Sequence, residues 1–168
     1  MKKAIKYFSA ANFKSYMKSL GFMGYDYNRN VITQDFIESQ PFAIISIGNI
    51  EADEGNTDEA LYLNGCNNHW IPDCNNVLNI DFDDVAENEK GAFSELQIQE
   101  MLCFIEDNKD KEEWFIHCSA GISRSGAVAS YLYEWFKSRG DDVVIFPKYP
   151  ETPNYYVKSM LKKGSLYY

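Results

Sequence analysis

Residues 114–136, WFIHCSAGISRSGAVASYLYEWF, decide the fold. The first three, Trp114–Ile116, are apolar and predict a short buried strand. The last part carries apolar residues at helical spacing and predicts a helix that ends near Gly140. A strand that passes through a loop of small residues into a helix is typical of an α/β sheet. In such sheets ligands bind outside the carboxyl ends of the strands, where this loop falls.

The same alternation of strands and helices continues on both sides of this stretch. Short apolar runs predict further strands at Lys3–Phe8, Phe42–Ile47 and Val77–Ile80, and a strand or an extended segment at Val143–Phe146. Amphipathic patterns predict helices behind Ser9, behind the Ser94–Gln97 capping box, and from Thr152 and Pro153 as N-cap and first helical residue. The order predicts an α/β fold, a mostly parallel central sheet flanked by helices on both faces. We expect residues 1–168 to form a single domain.

Composition excludes several classes of protein. Hydrophobic residues make up 45% and charged residues 24% of the 168 positions, which is typical of a globular protein and excludes a disordered chain. The formal net charge of −9 disfavours nucleic acid as a partner. Apolar runs stay well short of the roughly 18 residues that a membrane helix needs. We therefore expect neither a nucleic-acid nor a membrane partner, four free thiols rather than disulfides, and a cytoplasmic location.

The loop after Trp114–Ile116 has the features of an anion site. Small residues at 119–123 allow the backbone N–H groups to turn toward one anion, and the N-terminus of the following helix favours negative charge. Arg124 supplies a planar guanidinium that can bind two phosphate oxygens at once. The same positive field favours the thiolate form of Cys118, which makes this side chain a candidate nucleophile.

Residues 117–126, HCSAGISRSG, resemble the His-Cys-x5-Arg-Ser/Thr-Gly motif of the protein tyrosine phosphatase superfamily. The order of strands and helices from about residue 42 to 163 is compatible with that family, and the compact chain is closer to its dual-specificity and small bacterial or viral members. The resemblance implies a phosphotyrosine-phosphatase-like fold and a phosphatase domain over residues 1–168.

The resemblance also implies a role for each residue of the motif. Cys118 attacks phosphorus to give a phosphocysteine, Ser125 assists the sulfur when water releases phosphate, and His117 orders the loop from behind. Arg124 binds the phosphate together with the backbone of five loop residues, Ser119, Ala120, Gly121, Ile122 and Ser123. Because these contacts neutralise the phosphate, we expect no metal and no other cofactor.

The general acid that protonates the leaving group has to come from elsewhere, and the family uses an aspartate upstream of the motif. The segment NIDFDDVAEN offers three candidates after the strand Val77–Ile80. Alignment of that strand with the family favours Asp84, with Asp83 as the alternative, whereas Asp81 lies very close to the strand. Solvated acidic residues without a catalytic role are the other interpretation of this cluster.

We expect the substrate to be a phosphorylated protein or peptide, and phosphotyrosine in particular. The loop interior, SAGIS, has no lysine of the kind found in phosphoinositide phosphatases of this superfamily. A dual-specificity phosphatase and a catalytically weak phosphotyrosine-binding pseudophosphatase are the alternatives. Arsenate reduction and rhodanese-type sulfur transfer use similar loops, but the Ser125-Gly126 continuation and the upstream aspartates favour phosphate hydrolysis.

Three other cysteines, one histidine and one asparagine are secondary candidates. Cys66, His69 and Cys74 match no standard zinc spacing, and we interpret their proximity as chance. Cys103 lies in a predicted amphipathic helix, where we expect it to pack in the core unless it serves as a thiol partner of Cys118. Asn154, near the start of the last predicted helix, is a candidate for contact with the loop.

Overall fold

The structure is a computed structural model that describes residues 1–22, 34–50, 69, 71 and 73–166. The strands in these residues are β1 (Lys2–Ser9), β2 (Phe42–Gly48), β3 (Val77–Asp81), β4 (Glu113–Cys118) and β5 (Asp142–Phe146). The helices are α1 (Ala10–Ser19), α2 (Gln34–Glu38), α3 (Glu95–Asp107), α4 (Arg124–Ser138) and α5 (Tyr155–Ser165). The strands form one five-stranded sheet in the order β3-β2-β4-β1-β5, and all four pairings are parallel. The α/β class and the parallel sheet predicted from the sequence are therefore confirmed.

The two faces of the sheet carry separate hydrophobic cores, since successive side chains of a strand point to opposite faces. Ile45 of β2 and Ile116 of β4 belong to a cluster that includes apolar residues of α3, α4 and α5. Their neighbours Ile44 and Phe115 belong to a second cluster with residues of α1 and α2. Helices thus cover both faces, as predicted. All residues of β2 are buried, which explains why its sequence is a continuous apolar run.

Two predicted helix starts are confirmed by their capping hydrogen bonds. Ser9 accepts a hydrogen bond from the N–H of Asn12 at the start of α1. Ser94 and Gln97 form both halves of the predicted capping box at the start of α3.

The prediction that Thr152 caps the last helix and Pro153 begins it is wrong. The helix α5 begins at Tyr155 with Asn154 as N-cap, and Oδ1 of Asn154 accepts a hydrogen bond from the N–H of Val157 at 3.0 Å. Asparagine and threonine offer equivalent cap oxygens, so two good caps in close succession leave the start of the helix ambiguous in the sequence. The NH2 group of the same amide donates to Oδ1 of Asp84 and to the carbonyl of Val85.

The prediction that Cys103 packs in the core is also wrong, because its side chain is exposed. The buried face of α3 includes Met101 and Leu102. One residue further along a helix turns the side chain by about 100°, which places Cys103 on the outer face.

The parallel order brings the carboxyl ends of four strands to one edge of the sheet. Ser9 at the end of β1 lies opposite Cys118 at the end of β4, and Gly48 at the end of β2 lies opposite Asp81 at the end of β3. The residues that follow these strands therefore share one end of the molecule. Within the described ranges, no helix is long and apolar enough to cross a membrane.

Candidate active site

The sulfur of Cys118 lies inside the loop that joins β4 to α4. Its side chain is almost fully buried, and Sγ is 3.3 Å from the backbone N of Gly121 and 3.2 Å from Oγ of Ser125. Gly121 donates its N–H toward the sulfur from the loop, and Ser125 approaches it from the first turn of α4. The structure thus brings the predicted nucleophile, one loop residue and the predicted hydroxyl partner together.

The loop is closely packed against the end of β1, and this contact requires glycine at position 121. Gly121 has φ +73°, and a Cβ at this position would overlap the backbone of Phe8 and Ser9. The carbonyl of Ser119 accepts a hydrogen bond from the N–H of Ala10 at 3.2 Å. These contacts hold the loop in the conformation that points the Gly121 N–H at the sulfur.

The N-terminus of α4 faces the same loop without a side-chain cap of its own. Ser123 occupies the N-cap position, yet its side chain makes no capping hydrogen bond and its Oγ donates to Oδ1 of Asp84 at 2.7 Å. Unpaired N–H groups at a helix start and the helix dipole favour a bound anion. The loop and the first turn of α4 therefore form a cradle suited to negative charge.

Arg124 is 5% exposed and is held from one side of its guanidinium. Its Nη1 donates to the carbonyl of Gly48 at 3.2 Å, to Oδ1 of Asn49 at 2.5 Å and to the carbonyl of Phe82 at 2.8 Å. Its buried Nε has no hydrogen-bond partner among the described residues. A buried N–H group without a partner is costly, and an anion in the cradle is a suitable acceptor for it.

Asn49 is a part of the site that the sequence analysis missed. Its buried side chain accepts from Arg124 through Oδ1 and donates to Oγ of Ser119 through Nδ2, at 3.2 Å. It thus joins the guanidinium to the first residue of the loop. The available signal was a polar residue directly after the buried run of β2, at the carboxyl end where ligands of parallel sheets bind.

The three predicted acid candidates lie in different surroundings. Oδ1 of Asp84 accepts hydrogen bonds from Oγ of Ser123 and, at 2.8 Å, from Nδ2 of Asn154. Oδ1 of Asp83 instead accepts from the backbone N–H of Ile50 at 2.9 Å. Asp84 is therefore the aspartate that contacts the loop. Asn154 was also expected to contact the loop, and its backbone N–H donates to the carbonyl of Ser123 while its side chain contacts Asp84.

Asp81, the third candidate, contacts a histidine rather than the loop. Its Oδ1 is 2.7 Å from Nε2 of His69. The sequence analysis placed His69 in a cysteine-containing segment and gave it no role. Cys66 lies outside the described residues, and the thiol of Cys74 contacts Oδ1 of Asn76 at 3.2 Å. In the described part of the chain, no group of three or more His, Cys, Asp and Glu residues is arranged to hold a metal ion.

His117 lies behind the loop and is fully buried. Its ring stacks on Phe13 of α1 with the ring centroids 4.3 Å apart, and its Nε2 is 2.6 Å from Oγ of Ser46 in β2. Burial lowers the pKa of His117 to about 3, and the positive charges of Lys14 and Arg124 act in the same direction. The ring is therefore neutral at physiological pH. This position, directly before Cys118 and away from solvent, is consistent with the supporting role predicted for His117.

The remaining loop residues differ in exposure. Ala120 and Ile122 are exposed, whereas Ser119 and Gly121 are half-buried.

Comparisons of the chain with models of known protein families, with curated proteins and with solved structures found no match.

Proposed function

We propose that the chain is a cysteine-dependent phosphatase that hydrolyses phosphate monoesters of proteins or peptides, with phosphotyrosine as the preferred substrate. The observation that carries the proposal is the position of the Cys118 sulfur, inside a loop at the N-terminus of α4 and in contact with Gly121 and Ser125. A sulfur in a cradle suited to anions is placed to meet a phosphate that the same cradle binds. Cytoplasm, where thiols stay reduced, is the proposed location.

Arg124 supports the choice of a phosphate substrate. Among the described residues its guanidinium is anchored through Nη1, and its buried Nε has no acceptor there. A guanidinium that is fixed in place and has an unused N–H can bind the equatorial oxygens of a phosphoryl group as charge spreads over them. Such electrostatic stabilisation is the main contribution that a protein makes to phosphoryl transfer.

The proposed reaction has two steps. In the first, the Cys118 thiolate attacks phosphorus, the S–P bond forms, and the P–O bond to the tyrosine breaks. The electron pair of that bond stays on the tyrosine oxygen, which takes a proton from Asp84. In the second, Asp84 takes a proton from water, the water oxygen attacks phosphorus, and the S–P bond breaks. Its electron pair returns to sulfur, which the hydroxyl of Ser125 stabilises by a hydrogen bond.

Hydrolysis of an aryl phosphate and of matched phosphotyrosine and phosphoserine peptides, with EDTA present, tests the proposal. We expect activity in the wild type and in Cys103→Ser, a control that removes an exposed thiol outside the motif, and none in Cys118→Ser. Rapid quenching and mass spectrometry of the tryptic peptide 112–124 should find a transient phosphoryl group on Cys118. Comparable rates with both peptides would indicate a dual-specificity enzyme.

Two results would contradict the proposal. Full activity in Cys118→Ser would exclude the phosphocysteine mechanism. An inactive wild type that binds the phosphotyrosine peptide would instead identify a phosphotyrosine-binding module that uses the same cradle.

A further inference from the structure

Asn154 lies where the last helix, the cradle loop and the segment with the acid candidates meet. Its backbone N–H donates to the carbonyl of Ser123 at 2.9 Å, and its Oδ1 accepts from the N–H of Val157 at 3.0 Å. Its Nδ2 donates to Oδ1 of Asp84 at 2.8 Å and to the carbonyl of Val85 at 3.2 Å. Asn154 therefore connects the start of α5 both to the loop and to the segment that follows β3.

The helix cap fixes which end of the Asn154 amide faces Asp84. A backbone N–H can only donate, so the side-chain atom that accepts from Val157 has to be the amide oxygen. The nitrogen then points at Oδ1 of Asp84, and an NH2 group donates hydrogen bonds but does not accept them. The hydroxyl of Ser123 donates to the same Oδ1 at 2.7 Å. Oδ1 of Asp84 is thus an acceptor from two sides.

These two donors decide which oxygen of the Asp84 carboxyl can carry a proton. A carboxylate oxygen has two lone pairs, and Ser123 and Asn154 use both lone pairs of Oδ1. A proton can bind Oδ1 only if one of these hydrogen bonds breaks. A proton on Oδ2 leaves both of them in place. The acid form of Asp84 therefore carries its proton on Oδ2.

The bond from Asn154 to Asp84 needs little additional ordering, because other contacts already fix Asn154. The backbone bond to Ser123 and the cap bond to Val157 hold the residue in place. A donor that is fixed in advance loses little conformational entropy when it binds its acceptor. Asp84 itself is exposed, so water would compete for Oδ1 if the amide were removed.

We propose that Asn154 is a positioning residue for the acid, whose NH2 group keeps Oδ1 of Asp84 an acceptor so that Oδ2 delivers the proton. In the first step the Oδ2–H bond breaks, its electron pair stays on Oδ2, and the proton goes to the oxygen of the leaving group. In the second step Oδ2 takes a proton from the attacking water. This inference rests on the proposed function, because it assigns a role within that reaction.

A role as N-cap of α5 alone is the competing explanation, and two variants separate it from the positioning role. Asn154→Ser keeps an oxygen for the cap but has no NH2 group. Asn154→Asp keeps the shape and the cap oxygen, and it places an acceptor where the donor was. Tyr156→Phe is the matched control. It removes another hydrogen bond from α5 to the same segment, which Oη of Tyr156 donates to the carbonyl of Phe93 at 3.1 Å.

The measurement is kcat/KM for two aryl phosphates whose leaving groups differ in their need for a proton. Phenol resembles the tyrosine side chain, with a pKa of about 10, so phenolate leaves poorly unless an acid protonates it. Dinitrophenolate is a stable anion that leaves without a proton. Because both substrates are measured on the same protein, the ratio of their kcat/KM values does not depend on the folded fraction.

We expect the ratio of dinitrophenyl phosphate to phenyl phosphate to rise about tenfold in Asn154→Ser, as part of the roughly 10²- to 10⁴-fold that a positioned acid contributes. It should rise further in Asn154→Asp, because the new acceptor repels the Asp84 carboxylate. Tyr156→Phe should keep the wild-type ratio, since the contacts of Asp84 remain.

The outcomes separate this inference from the proposed function. If the wild type hydrolyses both substrates and the ratio stays constant in the two Asn154 variants, the inference is overturned and the proposed function stands. A rise in Tyr156→Phe as large as that in Asn154→Ser would also overturn it, because any contact of α5 with the segment would then suffice. A wild type that hydrolyses neither substrate would overturn the proposed function, and the role of Asn154 with it.

Discussion

The loop at residues 119–123 is held in different ways on its inner and outer sides. On the inner side it depends on buried groups, since Asn49, His117 and Arg124 are each less than a tenth exposed. On the outer side, Asp84 and its hydrogen bonds to Ser123 and Asn154 lie in contact with solvent. Buried polar groups are costly when they lose a partner, whereas exposed hydrogen bonds exchange readily with water. Inner changes should therefore affect folding and catalysis together, and outer changes catalysis alone.

The largest expected effect is that of Arg124→Lys on the inner side. A lysine keeps the charge but lacks the planar guanidinium. In Arg124 this group donates through Nη1 to the carbonyls of Gly48 and Phe82, while its Nε–H can still donate to a substrate. We expect kcat for an aryl phosphate to fall by about 10³-fold or more. The free energy of unfolding should fall by about 1–3 kcal/mol.

Steady-state kinetics and urea unfolding measure both effects of Arg124→Lys. Arg139→Lys is the matched control, since Arg139 is exposed at the end of α4 and stacks on Trp135. Wild-type kcat in Arg124→Lys would contradict the role given to the guanidinium.

Asp84→Asn tests the outer side. We expect kcat for a phosphotyrosine peptide to fall by about 10²-fold and the basic limb of the pH profile to disappear, because the leaving group loses its proton donor. The free energy of unfolding should stay within about 0.5 kcal/mol of the wild type. A parallel measurement on Asp83→Asn decides between the two aspartates, and a larger kinetic loss there would transfer the acid role to Asp83.

The next effect is the pH dependence of the free energy of unfolding, to which His117 on the inner side contributes. His117 has its pKa lowered to about 3 by burial, whereas an unfolded histidine titrates near 6.5. Below pH 6.5 the unfolded chain therefore binds a proton that the folded chain does not. The resulting stability is fully present above about pH 6.5 and is lost as the pH falls toward 3.

Denaturant unfolding of the wild type and His117→Asn at pH 7 and pH 5 measures this loss. We expect the wild type to lose about 2 kcal/mol more than the variant over this interval, because the variant has no ring to protonate. Equal losses in the two proteins would mean that the ring can be protonated in the folded state.

The smallest of these effects is expected for Asn49→Ala. Nη1 of Arg124 keeps two carbonyl acceptors when the amide is removed, so the guanidinium stays buried but loses its link to Ser119. We expect kcat/KM to fall by about tenfold, the size of one lost hydrogen bond to a charged group. Asn79→Ala is the control and should retain wild-type kinetics. It removes from β3 an amide that donates to the carbonyl of Ile71. A similar loss in both variants would indicate a general effect on the sheet.

The sequence predicted the parts of the site that are contiguous along the chain. Residues 117–126 fold as one strand end, loop and helix start, so the contacts of Cys118 with Gly121 and Ser125 follow from local spacing. The sheet and its two covered faces followed from the alternation of apolar runs and amphipathic segments. These features depend on residues that are close together in the sequence, so local patterns in a single sequence predict them well.

The missed parts depend on residues that the sheet order brings together. Ser46 lies 71 positions from His117, and Asn49 lies 75 positions from Arg124. Their partnership follows from the pairing of β2 with β4, which no local pattern specifies. The start of α5 was missed for another reason, because Thr152 and Asn154 are both good caps and tertiary contacts of Asn154 with Asp84 and Val85 favour the later one.

The place of β1 in the sheet has a consequence for synthesis of the chain. β1 is made first, yet its two neighbours are β4 and β5, and Lys3 is bonded to the carbonyl of Lys111, 108 positions away. Until the ribosome has released β4, both edges of β1 are unpaired and can bind other strands. Folding of the sheet centre therefore waits until β4 has been synthesised, and over this interval the unpaired edges of β1 leave the nascent chain vulnerable to aggregation.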